Sequence, residues 1–483
     1  TTNDSTMLIT ATYDYYDGMQ MWSTYPYGAV LYSNNSTWLG LANFDDTQYG
    51  FQIGYFNWND VVPYIHNSTL TNVLSIVTEP GPYSWVDTPH LDIQNNVITH
   101  LGTTYSGGTS FSYNSMCLIS STGGVTGEYT IIRNNILNDC PIGTFIKRQG
   151  YYYYYTSSQW GADDAIIEGN TYNNVAGIGV WFYLSSYSED VVVSGNSFTG
   201  STSPLYGVYV QDRFTTGLEI SDNEFYNPQE PIYIRGGLDW SITDNVIYGD
   251  GDAAHAGIYV LAGDGIIDGN TLIDADGGIL IDGIRYGYTV NVSNNDISQS
   301  AGRTAPTAVG IWAEDCGSSM VYSEDNTISV MENAIVTDGC DLFDTGSELI
   351  AVAGSGGKLW TVGVNAQSFA PQTISISTGD TIRWRANEYY NNSGTTEQHD
   401  VVSNDSLFDS GPMNLGSTFT YTFLTEGTYN YHCSLHPALA MWGTVTVTNA
   451  STGAYDSVGI NVVGSNDELT LDGTEASGFS TTV

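Results

Sequence analysis

The residues with the clearest capacity for chemistry stand near the carboxyl end, in Cys433-Ser434-Leu435-His436-Pro437-Ala438-Leu439-Ala440-Met441, with His399 upstream of the cysteine. A thiolate, two imidazoles and a thioether that close on one point suit copper, because soft sulfur and imidazole donors favour a trigonal His2Cys centre with a weak axial Met. Such a set makes a mononuclear, type 1 site, and its chemistry is the passage of single electrons. Cys433, His436 and Met441 fall at +0, +3 and +8. One loop between two strands can therefore carry three donors, while His399 arrives from a neighbouring strand.

Those donors need a frame. Gly443-Thr444-Val445-Thr446-Val447 alternates as a half-buried strand does, and Thr418 to Phe423 and Tyr429-Asn430-Tyr431 supply strands before the ligand loop. Ile374-Ser375-Ile376, a turn at Gly379-Asp380 and Thr381-Ile382-Arg383-Trp384 read as a hairpin. Short strands at this spacing indicate a β-sandwich. With the ligand pattern, they give residues 358–449 a resemblance to the plastocyanin and halocyanin type of small blue copper proteins, the cupredoxin fold. The resemblance implies that His399, Cys433, His436 and Met441 are the copper ligands. An unidentified redox partner would dock at the His436 edge, rimmed by Pro437, Ala438 and Leu439. In that family the residue after the first His is often an Asn that braces the ligand loop; here it is Asp400, which adds negative charge beside the site. His432 has no second His-rich motif to join, so it reads as structural rather than as a ligand to another copper.

Upstream, nine copies of a pattern (apolar residue, two polar or small residues, Asn) run from Ile93-Gln94-Asn95-Asn96 to Ser323-Glu324-Asp325-Asn326. The basal step is 22 to 27 residues, as from Asn223 to Asn245 and from Asn196 to Asn223, which is a repeat signature. A second element follows most copies, as in Gly207-Val208-Tyr209-Val210 and Gly257-Ile258-Tyr259-Val260. Each repeat thus holds at least two short strands and has no room for a helix. Stacked rungs satisfy the backbone by parallel pairing, and the recurring Asn can form a side-chain ladder at one corner. The fold class is all-β. Residues 1–350 form a right-handed parallel β-helix, with 1–90 as amino-terminal rungs or cap and 91–350 as the Asn repeats. The cupredoxin sandwich follows at 358–449, after a linker at Gly354 to Gly357. The strand-forming tail 450–483 packs on the solenoid, pairs with another subunit or is disordered.

Cysteines test the register. Cys316 follows Gly310 by six residues and Cys340 follows Ala334 by six, the same place on successive rungs. Strands about 4.8 Å apart fall inside the roughly 4.4 to 6.8 Å Cα range of a disulfide, so a Cys316–Cys340 bridge is expected. Cys117 and Cys140 have a similar separation and make the second expected bridge. The fifth cysteine is the proposed ligand Cys433, and two bridges imply an oxidising compartment.

The formal charge of −42 comes from 52 Asp and Glu against 10 Lys and Arg. Such a surface repels nucleic acid and anionic membrane and suits a salty medium, divalent cations or a basic redox partner. No run of about twenty apolar residues is present, so no transmembrane segment is expected. Glycosylation sequons at Asn3, Asn34, Asn35, Asn67, Asn291, Asn391, Asn404 and Asn449, and a chain that begins at Thr1 without a leader-like segment, fit an exported, cell-surface glycoprotein.

The repeats resemble pectate-lyase-like β-helices and the copper-related periplasmic β-helix proteins linked to nitrous oxide reductase maturation, a likeness that implies architecture rather than activity. Asp163-Asp164 matches one piece of the polygalacturonase pattern, whose other pieces are absent. A lyase would have to draw its base from Arg133, Lys147, Arg148, Arg213, Arg235, Arg285 and Arg303. Asp250, Asp252, Asp274 and Asp276 are candidates for calcium, with solvated turns as the competing reading. Tyr151 to Tyr155, with Trp160, offer sugar stacking, a subunit contact or a widened core. The first expectation is an exported copper protein, an electron carrier or copper holder on a β-helix, with no catalytic residues. The second is a self-assembling subunit of an extracellular filament or surface layer. The third is a carbohydrate-binding or carbohydrate-cleaving β-helix.

Overall fold

Every repeat faces one local problem, which is to turn a corner in two residues without leaving buried amides unpaired. The computed structural model of the protein describes residues 2–3, 6–9, 29–40, 51–53, 61–78, 91–100, 116–122, 130–148, 165–183, 189–199, 206–211, 216–226, 228–249, 256–275, 277–284, 287–300, 309–317, 319–330, 333–351, 359–364, 368–386, 398–413, 417–435, 441–448, 459–462 and 468–477. In it the first corner residue is left-handed: Asn95, Asn134, Gly169, Gly195, Asp222, Asp244, Gly269, Asn294 and Asp325 all have φ between 51° and 67°. Only Gly, Asn and Asp enter that region cheaply, which explains their recurrence before the second Asn.

The second corner residue is the buried Asn of each repeat. From Asn96 through Asn135, Asn170, Asn196, Asn223, Asn245, Asn270 and Asn295 to Asn326, each Nδ2 donates to the next Oδ1 at 2.9 to 3.0 Å. The same amide also reaches the backbone, as where Asn245 Nδ2 donates to the Ile220 carbonyl at 2.9 Å and Asn245 Oδ1 accepts from the Asn223 N–H at 3.0 Å. Serines extend the ladder at both ends: Ser68 N–H donates to Asn96 Oδ1, and Asn326 N–H donates to Ser347 Oγ.

The flanking strands stack in parallel. Among the described residues one sheet of 14 strands runs from Thr2–Asn3 to Leu469–Asp472, a second ladder from Thr6–Ile9 to Glu475–Ser477, and a third from Met116–Thr122 to Gly459–Val462. Each full rung therefore has three strands. The interior is mostly aliphatic, with Ile220, Ile242, Ile267 and Val292 among its stacked residues. Tyr172, Phe198 and Phe225 form an internal ring stack at 4.8 and 4.7 Å. Gly179 and Gly207 lie opposite it, where an added Cβ would meet Phe198 at 2.4 Å and Phe225 at 2.5 Å. Disulfides join Cys117 to Cys140 and Cys316 to Cys340 across neighbouring rungs, with Cα separations of 5.8 and 4.8 Å.

Residues beyond the sandwich return to the solenoid. Gly459–Val462 pairs with Asn333–Asp338, Leu469–Asp472 with Asp341–Thr345, and Glu475–Ser477 with Glu348–Ala351. The tail thus adds one more rung, and the second domain is an insertion between the second and third strands of a turn. That domain has two four-stranded sheets. One orders Phe369–Ala370, Leu359–Val364, Thr381–Ala386 and Thr418–Thr422; the other orders Thr373–Ser377, Trp442–Thr448, Gly427–His432 and Val402–Ser403. Thr373–Ser377 and Thr381–Ala386 consequently do not form the expected hairpin. At Gly379 the chain crosses from one sheet to the other, so that Ile374 and Ile376 meet Ile382 and Trp384 across a shared core. No helix among the described residues is long and apolar enough to cross a membrane.

Asn245→Ala strips a fully buried ladder position of its donors and acceptor, and each orphaned partner costs about 1 to 3 kcal/mol; the denaturation midpoint should fall by the equivalent of about 3 kcal/mol or more. Asp282, Glu314 and Asp338 stand in register on successive rungs. Burial first, then the neighbouring carboxylates, hold Glu314 well above the ordinary carboxylate range. A raised folded-state value means stability present below the unfolded-state value and lost as pH rises through the folded one. Glu314→Gln should therefore melt higher than the parent near pH ~8 and level with it near pH ~4, where the unfolded carboxyl begins to protonate.

Candidate metal centre

The strand Gly427–His432 ends beside Cys433, and Trp442–Thr448 begins just after Met441. These strands are antiparallel partners with His432 opposite Trp442, so the loop between them is pinned at its base. The Cys433 N–H donates to the Met441 carbonyl at 3.1 Å. His399 comes from the adjacent segment: its carbonyl accepts from the Met413 N–H at 2.7 Å, and Val402–Ser403 pairs with His432 and Tyr431. His399, Cys433 and Met441 are all buried. His399 Nδ1 lies 3.5 Å from Cys433 Sγ, so an imidazole and a sulfur face each other between buried side chains. His436 lies outside the described residues.

Asp400 does the bracing that the sequence pattern assigns to Asn. Its Oδ1 accepts from the Ser434 N–H at 2.6 Å, and its Oδ2 accepts from Ser434 Oγ. Hydrogen bonds to an ionised acceptor are roughly twice as strong as neutral ones, so the residue after Cys433 is held firmly. Burial pushes the Cys433 thiol up, against the opposing effect of the Asp400 and Leu435 backbone N–H groups. A thiol that must ionise to bind metal couples copper uptake to proton release. His432 points to the other side of its strand, with Nδ1 2.7 Å from Asn404 Oδ1.

Among the described residues the other candidates form no group that could hold a metal ion. Asp274 accepts from Ser300 N–H and Oγ at 2.7 Å; Asp250, Asp252 and Asp276 lie outside the described residues, as do Asp163-Asp164, Tyr151 to Tyr155, Trp160 and Gly354 to Gly357. Arg133 Nε donates to Glu168 at 2.7 Å and Arg235 is buried. Asn35, Asn67, Asn291 and Asn404 are exposed and Asn34 is half-buried, accepting from Asn67 at 2.8 Å. Asn391 and Asn449 lie outside the described residues.

Residues 358–448 match the family of copper binding proteins described as plastocyanin/azurin. Plastocyanin from Scenedesmus fuscus is 30% identical over 83 residues, which cover 16% of this chain and 85% of that one. Through this domain the chain belongs to the plastocyanin/azurin family. Chloroplastic plastocyanin from Physcomitrium patens is 27% identical over 129 residues, 25% of this chain and 75% of the relative. A solved structure titled a novel purple cupredoxin from Nitrosopumilus maritimus is 29% identical, covers 18% of this chain and 99% of that one, and has a TM-score of 0.16. Residues 188–350 match the right-handed β-helix region. The chain is thus a right-handed β-helix joined to a copper-binding domain of the plastocyanin/azurin type.

In this plastocyanin/azurin-type domain, Asp400→Asn keeps an oxygen for the Ser434 N–H while removing a negative charge beside the residue that follows Cys433. The copper reduction potential, measured by redox titration, should rise, because less negative charge favours the less positive metal state.

Proposed function

We propose that the chain is an exported electron carrier in which a type 1 copper domain is displayed on a β-helix. The observation that carries this reading is the 3.5 Å approach of His399 Nδ1 to Cys433 Sγ, both buried, with buried Met441 bonded to Cys433 through the backbone. Copper bound there supplies a one-electron couple. The protein's own part is to hold the donors nearly still in both oxidation states. Trp384 packs on Tyr431 at 5.3 Å and on Phe408 at 5.1 Å, and Phe369 packs on Tyr431 at 4.7 Å, which stiffens the strand that delivers Cys433.

Leu435 and Trp442 flank the ligand loop and are 44% and 50% exposed. They offer an apolar landing surface on a chain of charge −42, a combination that favours a partner with a basic rim. Two disulfides support an oxidising, exported setting. An absorption spectrum after copper addition tests the reading. The parent should show an intense visible thiolate-to-copper band that bleaches on reduction and returns on oxidation, and Cys433→Ser should lack it. A parent without that band overturns the proposal, and a band that does not cycle leaves copper holding instead of electron transfer.

A further inference from the structure

The third sheet carries a row of rings on its outer face. Register puts Phe145, Trp181, Tyr209, Tyr233 and Tyr259 on consecutive rungs, with neighbouring centroids 4.8 to 6.0 Å apart. They form a cluster separate from the solenoid's interior, and all five are buried. An outward row of aromatics on a solenoid marks a contact surface.

The copper domain reaches this row through the strand Thr381–Ala386. Arg385 lies over Tyr259 with its guanidinium carbon 5.0 Å from the ring centroid, and it forms an ion pair with Glu230. Glu230 stands in register with Tyr206, which stacks on Tyr209 at 4.5 Å. Arg385 and Glu230 are both buried, and so is Arg383 two residues earlier on the same strand face. Burial pulls Arg385 down to about 10, which leaves it charged at neutral pH. A buried guanidinium is tolerated only where a carboxylate and a ring face receive it. The chain has 10 basic residues in all, and two of them occupy this one buried face. A domain that swung free on a leash would have no use for either.

We propose that the aromatic row is a seat for the copper domain and that Arg385 is the residue that recognises it, with the guanidinium plane on Tyr259 and its edge on Glu230. The copper domain then works from a fixed position. The sheet that delivers Cys433 and Met441 is not the one that carries Arg385, so docking leaves Trp442 exposed for a partner.

The full chain, free of metal, tests this by electron–electron distance measurement between nitroxides at Asp296→Cys on the solenoid and Thr420→Cys on the copper domain, both exposed positions. Cys433 is buried and stays unlabelled. The seat predicts one narrow distance in the parent, a several-fold broader distribution in Arg385→Ala, and incomplete recovery in Arg385→Lys, which keeps the charge and loses the plane. A broad distribution in the parent, or an Arg385→Ala distribution as narrow as the parent's, overturns it. The parent result decides even if the variant misfolds, with Glu230→Gln as the second variant. Because no metal is used, failure here leaves the copper reading standing, and a missing visible band leaves the seat standing.

Discussion

The structure depends on pairing the amides at one buried corner. Nine stacked Asn side chains spend their hydrogen bonds on one another and on the backbone, and each does so only because the residue before it accepts a left-handed conformation. A buried amide with an empty donor is costly enough that the repeat cannot slip. Register along all three sheets follows from that corner. A shift of one residue in a strand would turn its inward aliphatic row outward and its outward rings inward, so the row from Phe145 to Tyr259 is a downstream result of Asn–Asn bonding on a different face.

The copper domain inherits this order. It is an insertion in a rung loop, held at both ends by strands of the solenoid. Its outer sheet sets Arg385 against Glu230 and Tyr259, while its inner faces pack aromatics around Trp384 and Tyr431. His399 and Cys433 therefore sit at the end of a series of packed elements, from the ladder through the third sheet to the strand that ends beside Cys433. Asp400 adds the last link by tying Ser434 in place.

What could be read from residues alone was what had a local cause. The Asn corner was legible because one side chain does one job at a regular interval, and the copper-binding family of the second domain was legible because few residue types share the chemistry of its Cys, His and Met. The third strand of each rung was legible as the element led by Gly, as in Gly207-Val208-Tyr209-Val210, whereas the second strand was not told apart from the corner, because it starts directly after the buried Asn and runs for only about three residues, as in Ile136–Asn138 and Val246–Tyr248. The hairpin reading at Gly379 failed because alternation reports which face is buried and not which sheet a strand joins. Arg385 and Glu230 are far apart in sequence and share no pattern. The available signal was scarcity, two arginines alternating on one strand in a chain nearly without bases.

The rung formed by Gly459–Val462, Leu469–Asp472 and Glu475–Ser477 is made from sequence that follows the copper domain. On a ribosome, the spiral must therefore pause with an open edge while an entire sandwich emerges, and only then can this coil be laid down. That edge is covered by a nascent segment made only after the cupredoxin, so the coil records that its cargo is present.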